Sequence, residues 1–494
     1  MPSIGPALTP GRRLAGDWIM VLVSLGLLGA CSLAPTHELP LLPVAATYPA
    51  DAPSSSDAAA GVAAHTTWRD YFADPQLQAL IVQALEHSRD LRSGVLRVEE
   101  ARAVYGIRRA DQLPTVGLGV DGSRGRTPAD LTVSGQVQTS GQYQAGFSLA
   151  AWELDFWGRV ANLKDAALQE FLATDAARRA LTVSLVAQVA DGYLALRELD
   201  ERIVLARRTI DSRKESFRIF GRRFEVGAIS RLDLLQVETL LTQAESLGAQ
   251  LEQARAVQAH ALSVLVGATV DPGPPAGGLD DNMILHEVNV GLPSALLVQR
   301  PDIVAAEHRL KAANANIGAA RAAFFPRIVL TGFAGSASAE LEGLFEAGSG
   351  AWRFAPSLVL PIFDAGRNQA NLDLAEVRRD LAVAAYEKTV QTAFRDVADA
   401  LSARHWLGEQ LRFQRAALDA QSERARLAQL RYDNGAVRYL EVLDAQRDLL
   451  VAEQALVQTR RALLSSRIGL YAALGGGSQE FVEPAAQPVR LRRP

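Results

Sequence analysis

The stretch Arg223-Phe-Glu-Val-Gly-Ala-Ile-Ser-Arg-Leu-Asp-Leu-Leu-Gln236 decides the fold, because it recurs about 210 residues later as Arg431-Tyr-Asp-Asn-Gly-Ala-Val-Arg-Tyr-Leu-Glu-Val-Leu-Asp444. Aromatic, glycine, small, β-branched and leucine positions coincide. Further matches follow in the same order: Ala110 to Pro114 with Ala322 to Pro326, Phe147 to Gly158 with Pro356 to Gly366, and Arg89 to Leu91 with Pro301 to Ile303. The chain therefore contains two copies of one structural unit.

Each copy of this stretch lies where a long helix is expected to turn back. From about 160 to 224 and from about 369 to 432 there is no proline, and apolar residues recur at helical spacing. A helix of this length runs roughly 95 Å and needs a partner along its length. Return helices at about 229–266 and 437–473 supply one, because Gly227 and Gly435 can take the left-handed conformation that ends a helix. Each half thus predicts a long antiparallel hairpin.

Two runs with alternating apolar and polar residues precede each long helix. They lie at 116–120 and 143–149 in the first half, and at 328–336 and 352–362 in the second. The last run places Trp352, Phe354, Leu358 and Leu360 on one side, and Pro356 and Pro361 make it the least regular strand.

Strands of about ten residues with one apolar face match lipid on one side and water on the other. Four strands cannot close a barrel, and an open edge in lipid would leave backbone groups unsatisfied. Several copies of the chain must therefore combine. Tyr143 and Trp352, near aligned strand starts, fit an interfacial aromatic girdle, although a structural core role is nearly as well supported. The narrow apolar stripes of the helices are typical of coiled-coil seams, and a ring of such hairpins encloses a tube.

The N-terminus reads as a bacterial export signal. Arg12 and Arg13 precede an apolar stretch at 18–28 that is too short to span a bilayer as a helix. The stretch ends in Leu-Gly-Ala-Cys31, which resembles a lipobox, and Cys31 is the only cysteine of the chain, so no intramolecular disulfide is possible. We expect Cys31 to carry a covalent lipid, with Ser32 favouring the outer membrane. Residues up to about 65 suit an extended tether with no function beyond spacing.

Enzymatic and nucleic-acid-binding functions find little support. A net charge of −4, with arginines scattered among acids along helical stretches, argues against a nucleic-acid surface. Gly117 to Gly122 matches a dinucleotide fingerprint literally, but it lies inside an alternating strand with no helix after it. The seven histidines show no metal-ligand spacing, and no Gly-x-Ser-x-Gly elbow occurs. We expect no enzymatic activity, no metal and no cofactor other than the lipid.

The sequence resembles the TolC family of outer-membrane efflux factors, in the NodT-like and OprM-like lipoprotein branch that works with resistance-nodulation-division pumps. The resemblance covers roughly 65 to 475. Besides the lipobox, it is carried by Phe147 to Arg159, Arg300-Pro-Asp302, Phe324-Phe-Pro326, Pro356 to Arg367, Arg431-Tyr432, and the run from there through Asp444 to Arg447.

This resemblance implies a homotrimer of mixed, mainly α fold, in which each protomer gives four strands to a shared twelve-stranded outer-membrane β-barrel continued by a long periplasmic α-helical barrel. The implied partners are a periplasmic membrane-fusion adaptor and an inner-membrane transporter of the resistance-nodulation-division type. The expected segments are a signal peptide at 1–30, a lipidated tether at 31–65, a first repeat at 66–270, a connecting equatorial segment at 271–292, a second repeat at 293–475 and a tail at 476–494.

By the same resemblance, the helix turns form the periplasmic tip, which narrows the tunnel and meets the adaptor through Gly227 and Gly435. Leu440 matches the family's apolar constriction and Asp444 its acidic ring, while Asp233 is the corresponding acid of the first half. Arg447 lies within pairing reach of Asp444 on a helix. The sequence departs from the family at Asp433, where related members often carry a basic residue.

Two other functions stay open at this stage. One is a duct of similar architecture that serves a type I protein secretion system. The other is a lipid-tethered periplasmic coiled-coil scaffold, against which the four amphipathic strands argue.

Overall fold

The computed structural model describes residues 32–41, 44–45, 66–275, 278–284 and 300–481 of the chain. The predicted signal peptide and Cys31 lie outside the described residues, as does most of the predicted tether, connecting segment and tail. The elements, in chain order, are α1 (Trp68–Tyr71), α2 (Pro75–His87), α3 (Arg89–Ala110), β1 (Thr115–Thr127), β2 (Gln138–Leu154), α4 (Arg159–Glu225), α5 (Arg231–Val266), α6 (Pro301–Ala322), β3 (Arg327–Ser338), β4 (Gly350–Val359), α7 (Arg367–Asp433) and α8 (Tyr439–Ala473).

The predicted repetition is present in the order of these elements. A helix, two strands, a very long helix and a return helix occur first as α3, β1, β2, α4 and α5, and again as α6, β3, β4, α7 and α8. The long helices α4 and α7 each have 67 residues, which corresponds to about 100 Å. The predicted long helices and return helices are confirmed to within two residues at each end, whereas the helices that precede the strands had not been predicted as elements.

The strands form one antiparallel sheet in the order β1-β2-β3-β4. Because directly opposed residues share a face, the register places Leu118, Phe147 and Trp352 on one side of the sheet and Gly117 and Ser148 on the other. The exposed apolar side chains of the first face confirm the predicted alternation. Within the described residues, β1 and β4 each have a free edge.

Three details of the strand prediction are wrong. β1 and β2 have 13 and 17 residues rather than about ten. β4 ends at Val359, so Leu360 lies outside it, since Pro361 cannot donate to the ladder. Within one chain, Pro356 lies in β4, which is an edge strand of the sheet and pairs with β3 only. Tyr143 is the sixth residue of β2 and not near its start, whereas Trp352, its counterpart in the repeat, is the third residue of β4.

The chain divides into two compact units. One comprises 1–40, 99–173 and 306–385 and contains the sheet; the other comprises 41–98, 174–305 and 386–494. The core of the second unit is formed where α1 and α2 pack on α4, α5 and α8, around Trp68, Leu77, Val189 and Leu262. Tyr71 stacks on Tyr471 with ring centroids 4.2 Å apart, and its hydroxyl donates to the Arg467 carbonyl at 2.8 Å.

The start of the predicted tether is docked in the first unit. The Ser32 hydroxyl donates to Oδ1 of the buried Asn162 at 2.8 Å, and Arg321 donates to the Leu33 carbonyl at 3.3 Å. A Cβ at Gly318 would approach the Ala34 nitrogen to 2.8 Å, so this helix position accepts only glycine while the segment lies there. The prediction that this tether only spaces the lipid from the folded domain is therefore incomplete, because its first residues bind the first unit. Sequence periodicity could not reveal this contact.

None of the helices that the structure describes is both long and apolar enough to cross a membrane.

Candidate functional site

The two helix turns at Gly227 and Gly435 have the same backbone geometry. Gly227 has a φ of 73° and Gly435 a φ of 72°. In each turn the glycine N–H donates to a carbonyl three residues back, and the following alanine N–H donates to a carbonyl five residues back, at Arg223 and Arg431. These bonds satisfy carbonyls left free at the helix ends. The sequence repeat thus encodes a structural stop, and nothing lies within 4 Å of the Cβ that either glycine lacks.

The helix after the first turn begins with a reciprocal cap. The Ser230 hydroxyl accepts from the Asp233 N–H at 3.2 Å, and the Asp233 carboxylate accepts from the Ser230 N–H at 3.1 Å. The hydroxyl and main-chain bonds from Ser230 lower the pKa of Asp233. The structure therefore places Asp233, predicted as a gate acid, in a capping box that fixes the start of α5.

The second turn lacks this device. Arg438 occupies the cap position of α8 without a side-chain hydrogen bond, and Glu441, in the position equivalent to Asp233, pairs with Arg431 at 3.6 Å. A missing cap typically costs about 1 kcal/mol of helix stability. Without this side-chain cap, the first turn of α8 is less stable by itself than the first turn of α5.

Three predicted gate residues share one exposed face of α8. Leu440, Asp444 and Arg447 follow at helical spacing, and each retains more than two fifths of its side-chain exposure. Arg447 Nη1 lies 3.1 Å from Asp444 Oδ1, so the predicted pair forms. The opposite face is buried, because Val442 and Ala445 pack against Ala428 of α7. Leu443, which flanks the exposed face, packs against Phe220 and Val237.

A second carboxylate extends this pair to the neighbouring helix. Asp448 accepts from Arg447 Nη2 at 3.1 Å and from Arg424 Nη1, on α7, at 2.7 Å. The bonds from Arg424 and Arg447 lower the pKa of Asp448. Sequence spacing does not reveal the pair of Asp448 and Arg424, because 24 residues and a turn separate them, and only the antiparallel pairing of α7 with α8 brings them together.

Tyrosines link the two helix hairpins near their turns at Gly227 and Gly435, a region that we call the tip. The Tyr439 hydroxyl lies 2.6 Å from Ser216 Oγ on α4, and Arg223 Nη1 on α4 donates to the Tyr432 hydroxyl on α7 at 2.5 Å. The rings of Tyr432 and Tyr439 are 4.9 Å apart. Tyr432 occupies the position in the second repeat that Phe224 occupies in the first. This aromatic match indicates a shared packing role, but it does not indicate the hydrogen bond from Arg223 to the Tyr432 hydroxyl.

Arg213 on α4 is a further residue that sequence reasoning missed. It is 3% exposed, and its Nη2 donates to the Leu443 carbonyl of α8 at 3.4 Å, while its Nη1 has no hydrogen-bond partner within the described residues. Burial lowers the pKa of this guanidinium. Burying a cation with only one long hydrogen bond costs free energy, so Arg213 adds little stability to the packing of α4 against α8.

This constellation cross-links helices α4, α7 and α8. Within the ranges that the structure describes, no set of three histidine, cysteine or carboxylate side chains is arranged to hold a metal ion. What the tip presents is an exposed leucine, a half-buried carboxylate and a set of side-chain bonds that join α8 to α4 and α7.

Residues 80–268 and 292–476 match the model of the outer membrane efflux protein family. The chain is 43% identical over 473 residues to the outer membrane protein OprJ of Pseudomonas aeruginosa, a match that spans 95% of this chain and 97% of that protein. It is also 43% identical over 478 residues to the toluene efflux pump outer membrane protein TtgC of Pseudomonas putida, spanning 96% and 99% of the two chains.

Solved structures agree with these relatives. The open state of the Neisseria gonorrhoeae MtrE outer membrane channel superposes with a TM-score of 0.81 at 40% identity, covering 90% of this chain and 98% of that chain. The predicted fold class, mainly helical with a small antiparallel sheet and built from two repeats, is confirmed.

Proposed function

Since the chain belongs to the outer membrane efflux protein family, it is an outer-membrane channel component of an efflux system, and we propose that it conducts drugs or other small molecules passively to the cell exterior. The relatives named for antibiotic, solvent and toluene efflux favour small molecules over the protein cargo of a type I secretion duct. No catalytic step is needed, because an inner-membrane pump supplies the driving force.

The observation that carries the channel proposal is the sheet. Its four strands expose an apolar face and leave the edges of β1 and β4 free. In lipid these edges must pair. Three chains close a barrel of twelve strands when β4 of one protomer pairs with β1 of the next, and this pairing removes every edge. A lipid on Cys31 adds a second membrane attachment, and a tethered scaffold would have no use for the exposed apolar face.

The long hairpins form the periplasmic tunnel, and their turns at Gly227 and Gly435 meet a periplasmic adaptor that connects the channel to a transporter of the resistance-nodulation-division type. At the tip, three copies each of Leu440 and Asp444 surround the axis. The leucines narrow the passage and the carboxylates favour cations over anions, although each Asp444 is partly neutralised by Arg447 at 3.1 Å.

Opening requires α8 to move away from α4 and α7. The contacts that resist this movement are the Tyr439 to Ser216 hydrogen bond and the Asp448 to Arg424 ion pair. The uncapped start of α8 lets its first turn move at lower cost than that of α5. The adaptor opens the channel by binding more tightly to the arrangement in which these links are broken.

The test is the conductance of the purified protein in planar lipid bilayers. Replacing Leu440 and Asp444 together by alanine widens the constriction and is expected to raise the single-channel conductance. Asp419→Ala, which removes an exposed aspartate from α7, is the matched control and should leave conductance unchanged. Unchanged conductance in the double variant would remove these residues from the gate, and an inability of the wild-type protein to form channels would contradict the proposed function itself.

A further inference from the structure

One face of β1 changes character along its length. Alternate residues from Val116 to Arg126 share this face, in the order Val116, Leu118, Val120, Gly122, Arg124, Arg126. The three apolar side chains are each more than 60% exposed, and both arginines are exposed as well. The face therefore passes from apolar to uncharged to doubly cationic within one strand.

The neighbouring strand follows the same order. Directly opposite this face of β1, Leu118 meets Phe147, Gly122 meets Tyr143, and Arg124 meets Gly141. An aromatic ring thus lies between the apolar band and the cations. Apolar, aromatic and then basic is the order in which side chains meet the hydrocarbon, the interface and the headgroups of a bilayer.

Connectivity decides which end of the strand is outside, and this step rests on the proposed function. The Thr115 end of β1 adjoins α3, and the Leu154 end of β2 leads into α4. The opposite ends are joined only by the connections at 128–137 and 339–349. Because the long helices belong to the periplasm, Arg124 and Arg126 lie at the end of the sheet that faces the cell exterior.

The strand length places the arginines at the edge of the hydrocarbon. From Val116 to Arg124 and Arg126 the chain advances eight and ten residues, about 26 and 33 Å at 3.3 Å per residue. A strand tilt of about 40° reduces these distances to roughly 20 and 25 Å along the membrane normal, and the apolar band of such barrels is about 25 Å tall. Arg126 therefore lies at the outer edge of the apolar band, and Arg124, about 5 Å below it, reaches the outer headgroups with its long side chain.

Neither arginine forms an ion pair within the part of the chain that the structure describes, and the residues directly opposite them, Gly141 and Thr139, are uncharged. The nearest acid along the strand, Asp121, lies on the other face, where it accepts from Gln144. Two unpaired guanidinium groups, two residues apart on one face, can bind phosphate oxygens through paired N–H donors.

We propose that Arg124 and Arg126 form a binding site for the phosphate groups of the glycolipid that makes up the outer leaflet of the outer membrane. The site lies on the lipid-facing side of the barrel, outside the conduction path, and a trimer carries three copies of it. Its role is to fix the height of the barrel in the membrane from the exterior side, opposite the lipid on Cys31.

The experiment is native mass spectrometry of the detergent-solubilised assembly, titrated with bisphosphorylated lipid A and with its dephosphorylated form. Arg124→Gln with Arg126→Gln should weaken binding of the phosphorylated lipid about thirtyfold, and each single variant about fivefold, since each cation near an anionic lipid surface contributes a similar increment. Arg353→Gln is the matched control, because it removes an exposed cation from the other face of the same sheet.

The inference is supported if phosphorylated lipid A binds the wild-type and Arg353→Gln proteins equally and inorganic phosphate at the same concentration does not displace it. Equal binding by the double glutamine variant, or no preference for the phosphorylated lipid, would overturn it. Displacement of lipid A by inorganic phosphate would overturn the inference, because it would show that the arginines bind free anions. Loss of the trimer of the double variant in cold detergent would also overturn it, because it would show that the arginines contact the neighbouring chain. Conductance of each variant is measured in parallel, so that a channel that still conducts separates failure of this inference from failure of the proposed function.

Discussion

Replacing Tyr439 by phenylalanine deletes one hydroxyl from the contact between α8 and α4 and leaves the ring in place. The Ser216 hydroxyl donates to the Ser212 carbonyl at 3.0 Å, so the Tyr439 hydroxyl is the donor in the 2.6 Å bond to Ser216. The substitution removes this donor without leaving an unsatisfied one. The ring still packs on Phe220, with centroids 4.5 Å apart.

A neutral side-chain hydrogen bond contributes about 1 kcal/mol net, which corresponds to roughly a fivefold change in an equilibrium constant. If the bond exists only in the closed arrangement, Tyr439→Phe raises the ratio of open to closed channels about fivefold. In planar bilayers the fraction of time spent open should rise by that factor, whereas the conductance of a fully open channel should not change, because the hydroxyl does not line the constriction.

Tyr193→Phe is the matched control. Its hydroxyl lies 3.1 Å from both Asp74 and Gln76, in the core where α2 packs on α4, so its loss costs at least as much without touching the tip. The reasoning is refuted if Tyr439→Phe opens no more often than wild type, or if Tyr193→Phe opens equally often.

Three other outcomes follow from the same structure. Asp448→Asn should raise the open fraction about twofold to fivefold at pH 7, as expected for a screened ion pair. The pKa of Asp448 is lowered, so its ion pair with Arg424 is present above the ordinary aspartate pKa of about 3.9 and is lost as the pH falls below that value. Acidification below it should therefore open the wild-type channel but not the variant. Gly435→Ala should lower the melting temperature, because it places a Cβ in the left-handed region at a cost of roughly 1 kcal/mol. Gly408→Ala, inside α7 with open space around it, should raise the melting temperature slightly. Equal shifts in the two variants would contradict the role of Gly435 in ending α7. Cys31→Ser should reduce the amount of protein in the outer membrane more than the conductance of the fraction that inserts, as measured by membrane fractionation and bilayer recording, and a normal amount of inserted protein would show that lipidation is dispensable.

The elements that could be predicted from the sequence are those set by local backbone chemistry. The absence of proline from each long helix, and a glycine at each turn, determine α4 and α7 and their return helices without reference to distant residues. Alternation likewise predicted the strands and their apolar face. The length of β2 was underestimated because Gln138 to Gln142 carry no apolar residue, and only pairing with β1 keeps that segment extended.

The tip could be located but not resolved in detail. The spacing of Asp444 and Arg447 predicts a helical pair, which forms. Asp233, predicted as the corresponding acid of the first half, also caps a helix, since serine precedes it at the cap position, where the second repeat has Arg438. Arg213 reads as one more solvated arginine in the sequence, and its burial depends on a helix more than two hundred residues away.

The central claim is that one chain is a fraction of a pore, so the stoichiometry of the membrane-extracted protein tests it most directly. Native mass spectrometry, with electrophoresis of heated and unheated samples beside it, should find three chains per complex and a trimer band that disappears on heating. A complex of one chain, with the same migration heated and unheated, would contradict the shared barrel and with it the account of the gate.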